Sequence, residues 1–187
     1  MNALTFAITT ASAADSAEIE ALLDACFGLA RRTKTTYRLR EGDRPVSAHV
    51  AREPSGRLVG ANSFWDLRIG EAGTPALLLG PLAVAPDLQG KGIGRALMRH
   101  GIAEARELGH RLIVLVGDEP YYARVGFRQV PKGRLLLPGP VDPARLLYLE
   151  LVPGALETVS GLVLGPRRFS GLRDTRWRPA APAKAQG

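Results

Sequence analysis

The segment QGKGIGRAL, residues 89–97, places three glycines within five residues, immediately before a run with helical periodicity. An apolar segment bounded by prolines, TPALLLGPLAVAP at 74–86, precedes it and has the composition of a strand buried on both faces. Amides in a glycine-rich turn at a helix N-terminus lack partners inside the helix, and the helix dipole adds positive potential. The segment therefore predicts a strand, an anion-binding loop and a helix, in that order.

Two familiar phosphate-binding loops do not fit this spacing. A Walker loop needs glycine five positions before its Gly-Lys pair and Ser or Thr after it, and Ala85 and Gly92 occupy those positions. A dinucleotide fingerprint starting at Gly90 needs its third glycine at position 95, where the chain has Arg95. The spacing that does fit is Gln89-x-x-Gly92-x-Gly94.

The rest of the chain alternates short apolar strands with amphipathic helices. Strands are predicted near residues 4–11, 46–52, 58–69, 74–86, 111–117 and 145–151, and the main helices near 16–26 and 94–108. The segment DEPYYARVGF, residues 118–127, predicts a short helix or turn followed by a strand. Pro81 cannot donate to a ladder, so we expect the central strand to be bulged or unpaired there. The strand–helix–strand order around the glycine loop implies a right-handed crossover in a partly parallel sheet.

The glycine loop resembles the Q/R-x-x-G-x-G/A loop of the GNAT superfamily of N-acetyltransferases. Its surroundings agree, because YYARVGF, which follows the next buried strand, is similar to the family's Y-x-x-x-G-F ending. The similarity is tight over residues 75–127 and looks most like the bacterial YhbS-like subgroup. It implies one α/β domain with a mixed, mostly antiparallel sheet of about six or seven strands, a splayed central strand pair and helices on both faces.

The resemblance also implies a function. A member would transfer an acetyl or short acyl group from acetyl-CoA, its co-substrate, to a primary amine in a ternary complex. Loop amides would hold the diphosphate, and the splayed strand would hold the pantetheine arm. The implied cofactor-binding residues are Leu82, Ala83, Val84, Gln89, Gly90, Lys91, Gly92, Ile93, Gly94 and Arg95. Tyr122 would protonate the leaving thiolate, since phenol and thiol pKa values lie within about two units.

Other chemically capable residues have less specific signals. Tyr121 is expected in the core, and Cys26 is expected to be a packed thiol rather than a nucleophile. The general base stays open between Asp66, Glu71 and a water chain. Asp118 and Glu119 fit either a role at the incoming amine or a helix cap. The three histidines and the single cysteine show no metal-spaced cluster, so no metal is expected.

Two further features receive structural rather than functional interpretations. The basic segment RRTKTTYRLREGD, residues 31–43, lies where acceptor loops of the family usually sit, and we expect a solvated helix there. His49 and His100 show no partner in the sequence.

The net charge of +7 is concentrated at the C-terminus, because residues 160–187 carry +5 of it. We therefore expect a domain over residues 1–160 and a basic, Pro/Ala-rich tail over 161–187 that is at least partly disordered. The single cysteine and the lack of a long apolar run favour a cytoplasmic protein without a membrane partner. The acceptor is expected to be a small-molecule or peptide amine, and a homodimer is compatible with the sequence.

Two other functions share these features. A non-catalytic acyl-CoA sensor or partner module would keep the same cofactor cleft. A nucleic-acid-binding protein would use the arginine-rich tail, but the remainder of the chain is nearly balanced in charge, which makes this the weaker alternative.

Overall fold

The computed structural model describes residues 5–176. Its strands are β1 (Ala7–Thr10), β2 (Ser47–Arg52), β3 (Leu58–Ile69), β4 (Thr74–Val84), β5 (Leu112–Val116), β6 (Arg128–Gln129), β7 (Leu135–Leu136), β8 (Leu146–Glu150) and β9 (Gly161–Leu164). Its α-helices are α1 (Ser16–Phe27), α2 (Thr35–Leu39), α3 (Ile93–Glu107), α4 (Glu119–Tyr122) and α5 (Pro166–Arg176). Short 3-10 helices occupy Ala13–Asp15, Leu29–Thr33, Pro86–Leu88, Ala123–Val125 and Pro143–Arg145.

The strands form a mixed sheet in the order β1-β2-β3-β4-β5-β8-β6, and β9 pairs with both β3 and β7 beside this path. Along the path, β4 and β5 are parallel and every other pair is antiparallel. The glycine loop and α3 connect the two parallel strands, as the strand–helix–strand order predicts. The predicted fold class is therefore confirmed, and the sheet gains the short strands β7 and β9 that the sequence patterns did not indicate.

The central strand pair separates within the sheet. β4 pairs with β5 only at Leu77 and Leu78, although β4 continues to Val84. On its other side, the register between β3 and β4 shifts where Gly80 and Pro81 stand. Proline has no amide proton to offer a ladder, so the bulge falls where the sequence predicts it.

Helices cover both faces of the sheet, and β3 shows how. Asn62 donates from Nδ2 to the carbonyl of Leu97 in α3 at 2.9 Å, which places α3 over one face. The next residue, Ser63, lines a cleft together with Leu23 of α1. Gly60 and Phe64 also approach α3, so Ser63 between them points to the opposite face, and α1 lies there.

The C-terminal part of the described chain differs from the expected tail over 161–187. Strand β9 pairs with β3 through Leu164 and Val163, and Val163 is fully buried. Helix α5 follows it. The alternating pattern of GLVL is too short to distinguish a strand from a connector by sequence alone. Residues 177–187, the remainder of the predicted tail, lie outside the described residues.

His49 on β2 is fully buried, and both of its ring nitrogens have partners. Nδ1 lies 2.9 Å from Asn62 Oδ1, and Nε2 lies 2.8 Å from Glu104 Oε2. The His100 ring packs edge-on against the His49 ring, with centroids 4.8 Å apart. The sequence does not reveal the partners of His49, because they are 13 and 55 residues away in the chain.

We expect His49→Leu to lower the free energy of unfolding by about 2 kcal/mol, because it leaves the Asn62 oxygen and the Glu104 carboxylate without their partner. Urea denaturation measures the loss. The control is His110→Leu at a half-buried position after α3, where a loss within about 0.5 kcal/mol is expected. Equal losses for the two variants would contradict a stabilising role for the His49 hydrogen bonds.

Candidate active site

The glycine-rich loop between β4 and α3 presents main-chain donors at the start of a helix. Gly90 and Gly92 have φ angles of 77° and 91°, which glycine adopts at little cost. Gly92 is the N-cap of α3, and in the described chain no side chain caps this helix end. The amides of residues 93–95 have no acceptor within the helix. Together with the helix dipole, these donors make the loop a site for an anion.

The ten implied cofactor-binding residues and Tyr122 all line one cleft of about 680 Å³. They are Leu82, Ala83, Val84, Gln89, Gly90, Lys91, Gly92, Ile93, Gly94, Arg95 and Tyr122. The cleft runs from the glycine loop along the end of β4 to the tyrosine pair at residues 121–122.

The main chain of β4 divides its polar groups between the sheet and the cleft. The Ala85 amide donates to the Val59 carbonyl at 2.9 Å, so the antiparallel alternation also directs the main-chain groups of Ala83 toward β3. It turns those of Leu82 and Val84 the other way, where β5 has already separated from β4. Leu82 and Val84 therefore offer main-chain groups to the cleft. Ala83 lines the wall of the cleft, but its main-chain groups face β3.

One of these groups already has two partners. The Val84 carbonyl accepts from Gln89 Nε2 at 3.3 Å and from Cys26 Sγ at 3.2 Å. The Gln89 side chain thereby ties the loop to the end of β4. Burial raises the pKa of the Cys26 thiol, which keeps it protonated and suits the packed, unreactive role expected from the sequence.

Tyr121 and Tyr122 form the boundary between this cleft and a second one, because both residues line both clefts. Tyr121 is 38% exposed, so the prediction that it belongs to the core is wrong. Tyr122 lies deeper, edge-on to the Phe127 ring with centroids 6.0 Å apart. Burial, followed by the nearby Tyr121 and Asp118, raises the pKa of Tyr122 to about 12. Its hydroxyl therefore carries its proton throughout the neutral range.

Two glycines make room for these tyrosines. A Cβ atom at Gly94, in the first turn of α3, would overlap the Tyr121 hydroxyl. A Cβ atom at Gly117, directly after β5, would overlap the Tyr122 ring. Gly94 is therefore needed to make room for Tyr121, and not to allow a left-handed backbone conformation.

The second cleft, of about 300 Å³, is basic. It is lined by Phe27, Arg31, Lys34, Thr36, Arg40, residues 78–82 of β4, residues 116–118 after β5, Tyr121, Tyr122 and Arg145. The expected solvated helix over 31–43 is therefore wrong. The segment divides into a 3-10 helix and α2, Arg31 is only 6% exposed, and three of its cations face the cleft.

The acidic candidates separate into two groups. Asp66 and Glu71 are not among the residues that line either cleft. Asp118 lines both clefts and pairs with Arg145, with Nε and Oδ1 3.1 Å apart. Although Asp118 is the N-cap residue of α4, its side chain does not cap that helix. Among the described residues, no group of three or more His, Cys, Asp or Glu side chains could hold a metal ion.

Sequence reasoning missed Arg40, Lys34 and Arg145 as lining residues of the second cleft. Arg145 reaches it because β8 pairs with β5, a contact between segments that no local pattern connects. One feature of the sequence could have indicated this cleft. The basic segment after α1 lies where acceptor loops of the family usually sit.

The family model and the similar proteins all point to one family. The model of the acetyltransferase (GNAT) family matches residues 16–127. The uncharacterized N-acetyltransferase YhbS of Escherichia coli K12 is 28% identical over 149 residues, which cover 80% of this chain and 89% of YhbS. The uncharacterized N-acetyltransferase YjhQ of the same strain is 35% identical over 127 residues, covering 66% of this chain and 68% of YjhQ.

Solved structures agree with this. The structure of E. coli YhbS in complex with CoA has a TM-score of 0.77 and 27% identity, over 91% of this chain and 94% of YhbS. A GNAT family acetyltransferase from Brucella melitensis in complex with acetyl-CoA has a TM-score of 0.63 and 30% identity, over 80% of this chain and 90% of the other.

Proposed function

Because the chain belongs to the acetyltransferase (GNAT) family, we propose that it transfers an acetyl group from acetyl-CoA to a primary amine in one direct step. Two similar structures were solved in complex with CoA or acetyl-CoA. The observation that carries the proposal is the continuity of the first cleft, which joins the loop donors, the open end of β4 and the tyrosine pair. The diphosphate, the pantetheine arm and the thioester of acetyl-CoA succeed one another in the same order.

The residues fit such a co-substrate in character. The Lys91 amide already donates to the Leu88 carbonyl at 3.3 Å, and the other amides from Gly90 to Arg95 would donate to the diphosphate oxygens. The exposed side chains of Lys91 and Arg95 would add charge-assisted contacts or attract the anion. Main-chain groups of Leu82 and Val84 would pair with the amides of the pantetheine arm as a neighbouring strand does. The Val84 carbonyl is already engaged, so its amide is the group available.

In the reaction, the lone pair of a neutral amine forms the new C–N bond at the thioester carbonyl, and an oxyanion develops. As the C–S bond breaks, the carbonyl is restored, the thiolate leaves and the amine nitrogen loses a proton to water or to Asp118. Tyr122, at the boundary of the two clefts, would donate to the leaving sulfur. A main-chain amide at the end of β4 would stabilise the oxyanion.

The raised pKa of Tyr122 refines this role. At about 12, it lies well above the value of about 8.5 for an ordinary thiol, so complete proton transfer to the thiolate is uphill. We therefore infer that a hydrogen bond to the sulfur, strengthening as negative charge develops there, supplies most of the effect.

Replacing Gly92 by valine is expected to weaken acetyl-CoA binding about tenfold or more, because a β-branched residue disfavours the left-handed backbone that aims the loop amides. Isothermal titration calorimetry measures the affinity. The matched control is Gly109→Val at the other end of α3, where φ is 80° and a Cβ meets no atom within 4 Å, as at Gly92.

Both valine variants carry a similar backbone penalty, so both should lose similar stability, and only the Gly92 variant should lose affinity. Equal affinity of the two variants for acetyl-CoA would mean that the loop does not bind this co-substrate.

Tyr122→Phe is expected to lower kcat about 100-fold or less, because it removes one positioned donor, while the affinity for acetyl-CoA stays unchanged. Thiol release is followed across a panel of amines and peptides. Tyr148→Phe, on β8 outside both clefts, is the control. Since the Tyr122 pKa lies near 12, kcat of the unaltered protein should not fall between pH 8 and 10 through loss of its proton.

An unchanged kcat in Tyr122→Phe would mean that a group other than Tyr122 donates to the leaving sulfur. If the protein bound acetyl-CoA but released no thiol with any acceptor, the result would favour a non-catalytic acyl-CoA sensor over an enzyme.

A further inference from the structure

The second cleft carries an unusual set of charges for a site that receives an amine. Its lining includes four cationic side chains, Arg31, Lys34, Arg40 and Arg145, and one acidic side chain, Asp118. A protonated amine would be repelled from such a site unless another part of the same molecule were attracted to it.

Two of the four cations are neutralised by nearby carboxylates. Arg31 donates from Nε to Asp24 Oδ1 at 3.0 Å and from one terminal nitrogen to Glu20 Oε2 at 2.5 Å. Arg145 pairs with Asp118 at 3.1 Å. Their charges are thereby balanced within the protein, and they are not available to a ligand without breaking these pairs.

Arg40 and Lys34 remain unbalanced. The Arg40 guanidinium lies against the rings of Tyr37 and Trp65, with its central carbon 5.1 and 5.3 Å from their centroids. Among the described residues, neither Arg40 nor Lys34 has a carboxylate within ion-pair distance. Burial, and then the charge of Arg31, lowers the pKa of Arg40 to about 10, so the guanidinium is desolvated and still charged at neutral pH.

A desolvated arginine held against two aromatic rings is suited to an oxyanion. An aromatic ring supplies no conventional hydrogen-bond acceptor, so the guanidinium N–H groups still need one, and their fork matches a carboxylate or a phosphate. Lys34, exposed at the cleft, adds a second charge of the same sign. The volume of about 300 Å³ accommodates a small molecule rather than a folded protein.

We propose that the acceptor is a small amine that also carries a carboxylate or a phosphate group, and that Arg40 with Lys34 binds this group while the amine faces the tyrosine boundary. The inference rests on the proposed acetyl transfer and specifies its substrate class. The anionic group would also position the amine, because its distance from Arg40 limits how far the nitrogen can move.

Matched acceptors test the class. Thiol release is measured for L-amino acids against their amides, and for O-phosphoethanolamine against ethanolamine. We expect kcat/KM to be about tenfold or more higher for the anionic member of at least one kind of pair, the gain expected of a hydrogen bond to a charged group. The first kind identifies a carboxylate and the second a phosphate. Equal or higher values for every neutral member would overturn the proposal.

Variants test the residues. In Arg40→Gln and in Lys34→Gln, KM for the preferred anionic acceptor should rise about tenfold, while KM for its neutral analogue and the affinity for acetyl-CoA should not change. Lys34 is exposed, so its variant retains the fold even if Arg40→Gln does not. Arg38→Gln is the control, because Arg38 is an exposed residue of α2, the helix between Lys34 and Arg40, and lines neither cleft. An equal rise for both acceptors would mean that these residues only support the cleft.

A binding measurement separates this inference from the proposed function. With CoA present, calorimetry compares N-acetyl-L-amino acids and N-acetyl-O-phosphoethanolamine with their uncharged analogues, namely N-acetyl-amino-acid amides and N-acetylethanolamine. Tighter binding of the anions, lost in Lys34→Gln, would support the anionic site even if no amine released thiol. Without that preference, the anionic site is excluded, whether or not acetyl transfer occurs.

Discussion

The cleft exists because the parallel ladder between β4 and β5 ends at Leu78 while β4 runs on to Val84. Past that point, the main chain of β4 has a partner only on the side of β3, and alternate residues turn polar groups toward a region that no described strand fills. A sheet that stayed closed would have satisfied the same groups internally. The separation of β4 from β5 after Leu78 is thus the feature from which a strand-like ligand site follows.

The glycine loop lies directly after the open end of β4. It delivers the chain from β4 into α3 so that the unpaired amides of the first helical turn face the same cleft as Leu82 and Val84. Main-chain donors held by a helix need no reorganisation when an anion arrives, and they depend little on which side chains surround them. The aromatic boundary is fixed by two close approaches, Tyr121 over Gly94 and Tyr122 over Gly117.

How far the sequence predicts the molecule depends on how local each signal is. The loop, the bulge at Pro81 and the strands on either side are encoded within a few adjacent residues, and the structure has them where the patterns indicate. The partners of His49 and the cluster of Arg40 with Arg145 arise from strand pairing and helix docking across long separations, which one sequence does not reveal. The sequence places Tyr121 wrongly in the core, because an aromatic side chain beside a turn gives no sign of which wall it lines.

The proposed function requires that main-chain donors between Gln89 and Arg95 hold the diphosphate of acetyl-CoA. The most direct measurement is an amide chemical-shift titration of ¹⁵N-labelled protein with CoA and, separately, with pantetheine, which lacks the diphosphate. We expect large shifts of the residue 90–95 amides with CoA and small shifts with pantetheine. Residue 90–95 amides that stay in place with CoA, or that move equally with pantetheine, would contradict it.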